Sequence, residues 1–205
     1  MGRLYLKLFR KNMDYSQFAS SESIEKTGVA LKNNGIKAVV VENATAAKNK
    51  VLELLPKGAE VMVMSSETLR ETGITELDSV RTKFDSVDEK TRRQLGAAPD
   101  WAVGSVHAVT EDGKLLIASN TGSQLGAYVY GAAHVIFVVG TQKIVKNLDE
   151  AVKRIYEYVL PLESERANKA YNITTGSFVS KLLIINRELQ PDRVTVVLVK
   201  EKLGF

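Results

Sequence analysis

The 205-residue chain has no cysteine and only two histidines, His107 and His134. Without cysteine there can be no disulfide, thiolate nucleophile, cysteine-ligated zinc or iron–sulfur cluster held by this polypeptide alone. No cofactor bound by this chain alone is therefore expected, and redox chemistry needs a centre supplied from elsewhere. Two histidines exclude a histidine-rich metal site, and no metal site is expected. Long apolar runs are also missing: nothing approaches the roughly 18 consecutive apolar residues of a membrane span. The opening MGRLYLKLFRKNM lacks an apolar run of roughly seven or more residues, as a signal peptide requires. Leu6 stands where a myristoylation motif has Ser or Thr. A cytoplasmic protein is the expectation.

Neither charge sign dominates. The 28 Lys+Arg against 24 Asp+Glu give +4, and the basic residues are scattered among acids, so weak attraction to anions is expected and nucleic-acid binding is not. The GxSxG, HExxH and GxxxxGK[ST] motifs are absent, which disfavours motif-based hydrolase, zinc protease and nucleoside triphosphatase readings.

A hydrophobic content of 44% at this length suffices to bury roughly 70% of the unfolded chain's surface. Short β-branched apolar runs fall at residues 36–41, 60–64, 101–109, 114–118, 134–139 and 194–199, and read as buried strands. Between them lie helical periods: Ala47, Val51, Leu54 and Leu55 share a face, as do Leu148, Val152, Ile155, Tyr156 and Val159 before Pro161. The alternation predicts an α/β fold, an open, mostly parallel sheet with helices on both faces. The turn Glu111-Asp112-Gly113 inserts one β-hairpin. No internal repeat or linker composition is seen. Residues 1–35 are read as an N-terminal helical segment packed on a single α/β domain of residues 36–205, its helix stopping at Asn33-Asn34-Gly35. In Tyr156-Glu157-Tyr158, Tyr156 is expected to pack and Tyr158 to border solvent.

Chemistry is expected at two turns. Ser119, Asn120, Thr121, Gly122, Ser123 and Gln124 follow a strand and precede the apolar stretch 125–130, where helix-terminal N–H groups suit a phosphate or carboxylate. Helix capping by Ser119, Thr121 or Ser123 is the alternative. Gly140, Thr141, Gln142 and Lys143 close another strand at its carboxyl end, where α/β sheets bind ligands. Lys143 either neutralises an acid group there or is a solvated turn lysine. His107 shares a strand face with Ser105 and Val103 by two-residue alternation; it and Glu111 are acid/base candidates, against a packing histidine and a solvated turn carboxylate. His134 reads as structural.

Residues 96–113 (GAAPDWAVGSVHAVTEDG), 117–124 (IASNTGSQ), 131–135 (GAAHV) and 139–145 (VGTQKIV), in that order, resemble the LUD-domain family, also called lactate utilisation protein C-like (LutC/YkgG). Further matches are Met64-Ser65-Ser66 with Thr68-Leu69 and Gly73-Ile74, residues 160–163 (LPLE) with Arg166, 183–186 (LIIN) and 200–205 (KEKLGF). The resemblance implies a NagB/RpiA/CoA-transferase-like fold with a ligand crevice at strand ends. It also implies a cluster-free component of L-lactate oxidation to pyruvate, working with iron–sulfur oxidoreductase partners, and it transfers no catalytic residue. Alternatives are an enzyme or binding protein for a phosphorylated, CoA-linked or folate-type small molecule, and a structural or regulatory homo-oligomer paired through an edge such as residues 194–199.

Overall fold

The computed structural model describes residues 14–205; the leader and myristoylation expectations concern residues 1–13 and lie outside the described residues. Among the described residues, nine strands form two sheets. β1 (Lys37–Val41), β2 (Val61–Val63), β3 (Trp101–Gly104), β6 (His134–Gly140) and β9 (Val194–Val199) make an all-parallel sheet in the order β1-β9-β6-β3-β2. β4 (Ala108–Thr110), β5 (Leu115–Ser119), β7 (Ile144–Val145) and β8 (Lys181–Ile185) form a second, mixed sheet in the order β7-β4-β5-β8.

Apart from its partly exposed edge strand β1, the parallel sheet is buried on both faces, as its Val/Ile runs require. Two-residue alternation along β6 sends Val135, Phe137 and Val139 into one core and Ile136 and Val138 into another. The first core is closed by α1 (Ser21–Asn33), through Ile24 and Leu31, and by Val109, Leu115 and Ile117 of the second sheet. Ala47 and Val51 of α2 (Ala44–Leu54), Leu69 of α3 (Glu67–Glu71) and Ile74 close the second. The outer face of the second sheet is covered by Ala151 of α5 (Leu148–Arg154) and by Ile155. A fourth helix, α4 (Glu89–Ala97), precedes β3.

Local signals set the helix ends. Ser20 Oγ accepts the Ser23 N–H at 3.1 Å, and Asn43 Oδ1 accepts that of Ala46 at 2.9 Å, each satisfying a donor the helix leaves open. Beyond α1 the chain turns at Gly35, with φ +77°, where a side chain would be strained.

Four expectations are corrected. The run 101–109 is two strands in different sheets, because after Gly104 the chain leaves the parallel sheet and crosses to the second through Ser105, Val106 and His107. β9 is no free edge, being paired with β1 on one side and β6 on the other. The helix beginning at Leu148 does not stop before Pro161. A π-helical turn, Ile155–Val159, leads into α6 (Leu160–Tyr171), with Pro161 in its first turn, where a missing N–H costs little. That wide turn rotates the face beyond it, so Tyr156 is exposed, while Tyr158 packs over Arg154 at 5.2 Å.

Gly104 has a packing role. A Cβ there would meet the Tyr128 hydroxyl at 1.9 Å and its ring carbons at 2.6 and 2.9 Å, and Tyr128 is fixed edge-on against Phe137 at 4.8 Å. Gly104→Ala is expected to destabilise the fold by about 1–3 kcal/mol through overpacking, read as a lower urea midpoint with an unchanged m-value.

Candidate functional site

Where the chain passes from one sheet to the other, a cleft of about 880 Å³ opens. Its walls are the segment after β2 (Met64, Ser66 and Thr68), the β3–β4 crossing (Ser105, Val106 and His107) and the end of β5 with the loop beyond it. Glu163 and Arg166 of α6 close it from the far side, with Phe178 and Phe205 supplying apolar surface.

Lys143 lies in the cleft wall although only 3% exposed. Its Nζ donates to Thr68 Oγ1 at 2.8 Å, Ser105 Oγ at 3.2 Å and the Val106 carbonyl at 3.2 Å. These are three neutral acceptors for three N–H bonds. Thr68 passes its own proton on to the Leu203 carbonyl at 3.1 Å. Burial pushes the Lys143 amine down to about 7, the charge of Arg154 adding to the effect and Glu71 opposing it.

The other cleft cations are already paired. Arg166 binds Glu163 through two hydrogen bonds, at 2.7 and 2.8 Å, and Arg70 holds Glu67 at 2.7 Å. Glu163 holds the Arg166 guanidinium well above its usual range. None of the three groups bonded to Lys143 Nζ is a carboxylate, so its charge is the one an incoming anion would meet.

His107 Nδ1 accepts the Ala118 N–H at 3.1 Å, so the neutral ring carries its proton on Nε2. Burial, then the charges of Lys143 and Arg154, push His107 down to about 3, and the ring is neutral at physiological pH. Arg154 is fully buried and donates from Nη1 to the His107 carbonyl, while its Nε and Nη2 have no partner.

Of the residues singled out in the sequence, His107, Ser119, Asn120, Thr121, Ser123, Gln124 and Lys143 line the cleft together. Gly122, with φ +87°, turns the loop, and its N–H bonds Ser119 Oγ at 2.8 Å. The loop leads into a short π-helical turn, Ala127–Gly131, without a side-chain cap, so neither the helix-terminus reading nor simple capping describes it. Ser119 Oγ donates instead to Gln124 Oε1 at 3.0 Å, closing the loop on itself.

Gly140, Thr141 and Gln142 are not in the cleft wall. All three are buried, and Gln142 Nε2 donates to the Leu203 carbonyl at 2.9 Å. Glu111 is also elsewhere, hydrogen-bonded by Ser23 at 2.8 Å and paired with Lys26 at 2.7 Å, which hold its carboxyl below the usual range. His134 stacks on Trp101, ring centroids 4.3 Å apart. Sequence reasoning misses Thr68, Ser105, Glu163 and Arg166 as site residues, although Thr68, Glu163 and Arg166 lie within the family-like runs and Ser105 within the strand assigned to His107.

The LUD-domain family model matches residues 24–199. The chain belongs to the LUD-domain family. A solved DUF162 family protein from Deinococcus radiodurans shares the fold, with a TM-score of 0.56 at 12% identity over 89% of this chain and 99% of that one. No curated protein matches. Among the described residues of this LUD-domain protein, no helix is long and apolar enough to cross a membrane, and no group of three or more His, Asp or Glu could hold a metal.

Proposed function

We propose that this LUD-domain protein binds a small anionic metabolite in the cleft beside Lys143, and that it serves as the cluster-free component of L-lactate utilisation, working with iron–sulfur partner proteins. The carrying observation is a buried ammonium bonded only to neutral acceptors in the wall of an open cleft. A carboxylate or phosphate supplies the missing counter-charge there, and the exposed hydroxyls of Thr121 and Ser123, bonded only within the loop, can turn toward it. Family membership supports the lactate role.

The size of the cleft favours a second reading. Some 880 Å³ lies in the range of sites for ligands much larger than lactate, which suits a phosphorylated, CoA-linked or folate-type molecule. A thermal-shift panel of L-lactate, pyruvate, inorganic phosphate, sugar phosphates, CoA esters and folates separates the two readings. A ligand at a hundredfold excess over its Kd stabilises by about 2.7 kcal/mol, which is on the order of 5–10 °C for a chain of this size. The expected result is a shift with one anionic class that Lys143→Ala abolishes. No shift with any compound, together with retention on immobilised iron–sulfur partners, would leave the partner role without a ligand site.

A further inference from the structure

We propose that Lys143 is a carbonyl-reactive amine whose Nζ forms an imine, inside the cleft, with a small aldehyde or ketone carrying a carboxylate or phosphate. This rests on the anion-binding reading of the same cleft and adds the ligand's reacting group.

The geometry of the amine carries the inference. A buried lysine kept as an ammonium is normally paired with a carboxylate. Here Nζ is fixed by Thr68 Oγ1, Ser105 Oγ and the Val106 carbonyl, and no carboxylate among these partners holds a proton on it. Burial without a counter-ion favours the neutral, nucleophilic amine, which needs only two of these acceptors and turns its lone pair to the cleft, and the lowered pKa agrees.

Ser105 touches the amine, and a second proton-bearing group lines the same cleft. The Ser105 hydroxyl reaches both Thr68 Oγ1, at 3.3 Å, and the Val106 carbonyl, at 3.4 Å, so it can turn to accept from or donate to the amine. His107 lines the same cleft, with Nε2–H left as a donor by the bond that Nδ1 receives from Ala118. A neutral imidazole in that state polarises a carbonyl oxygen without giving up its proton.

The step balances without an external oxidant or reductant. The lone pair of Nζ attacks the carbonyl carbon, the C=O π pair moves to oxygen, and that oxygen takes a proton while nitrogen loses one through Ser105. In the carbinolamine so formed, the nitrogen lone pair closes the C=N bond as the C–O bond breaks, and the leaving oxygen takes the proton that the nitrogen still carries, relayed through Ser105, and departs as water. Amine and carbonyl enter; imine and one water leave.

The test uses the whole protein with glyoxylate and sodium cyanoborohydride at pH 7, with peptide mass mapping of the reduced adduct. Exposed lysines keep only about one amine in a thousand or fewer unprotonated at this pH, so Lys143 is expected to be labelled faster by on the order of tenfold or more. Labelling should saturate with glyoxylate, slow when inorganic phosphate is added, and vanish at this position in Lys143→Arg, whose fold is checked by circular dichroism. Thermal shifts with glyoxylate and no reductant are recorded alongside. A glyoxylate shift without an adduct at Lys143 overturns the imine and leaves anion binding standing. Neither shift nor adduct overturns the imine, and joined with no shift from inorganic phosphate, L-lactate or the larger anions it overturns anion binding too; an adduct spread evenly over surface lysines overturns the imine.

Discussion

Lys143→Met is expected to stabilise the ligand-free protein at pH 6 while abolishing anion binding. The amine falls from 10.5 to about 7 in the fold, which makes the buried ammonium less favourable than in the unfolded chain by on the order of 4–5 kcal/mol. Losing three hydrogen bonds offsets part of that, since Thr68 and Ser105 must find other partners, and a net gain of about 1–3 kcal/mol remains. The sign changes with pH in a defined window. Below about 7 both states hold the proton and the penalty is complete. Between about 7 and 10.5 the unfolded chain still binds a proton that the fold has released, so the wild type gains stability as pH rises. Above 10.5 both are neutral and the penalty is gone. Urea midpoints of the two proteins at pH 6, 8 and 10 should therefore converge and then cross; a variant less stable than the wild type by a constant amount at every pH would contradict the account.

His107 gives the second large effect, at the acid end. Its imidazole, held at about 3 against 6.5 when free, stays neutral in the fold while the unfolded chain takes up a proton. Stability attributable to this group is complete above pH 6.5, falls by about 1.4 kcal/mol per pH unit below it, and is lost once pH passes 3. His107→Gln, whose side-chain carbonyl can still accept the Ala118 N–H, removes the titration but keeps that bond. Carboxylates contribute equally to both proteins, so the difference between their unfolding free energies from pH 7 to 4 isolates the histidine. The variant is expected to gain on the wild type by several kcal/mol over that range, and parallel acid curves would show that the ring protonates freely in the fold.

These effects also mark what the sequence made legible. Apolar runs and their alternation identified the parallel strands, and β9 begins and ends where the run 194–199 does, because a strand buried on both faces leaves an unbroken signal. Composition could not separate two strands within 101–109, since Ser105, Val106 and His107 cross between sheets while staying largely buried. β7 has two residues and β8 is half exposed; neither offers a period to read. Pro161 suggested a stop, but the π turn carries the helix through it.

In the site, Lys143 and the loop 119–124 were legible as polar residues at strand ends. Their partners were not, because Thr68 and Ser105 stand 75 and 38 residues from Lys143 and meet it only through the topology. A serine or threonine far away in sequence gives no sign of accepting from a buried amine. Arg154 is hidden for a related reason: nothing in its helical run marks it as buried, and only the fold sets it under the Tyr158 ring and against the His107 carbonyl.

The central claim, that the cleft holds a buried amine awaiting an anion, is tested most directly by NMR of protein labelled with ¹³Cε-lysine and titrated from pH 5 to 11. Lys143→Arg assigns the resonance, and inorganic phosphate and L-lactate serve as probes. The account predicts that Lys143 titrates near 7, well below the ordinary lysine value, and that one probe raises this value because a bound anion favours the ammonium. A Lys143 that titrates as a free lysine does and ignores both probes would contradict it.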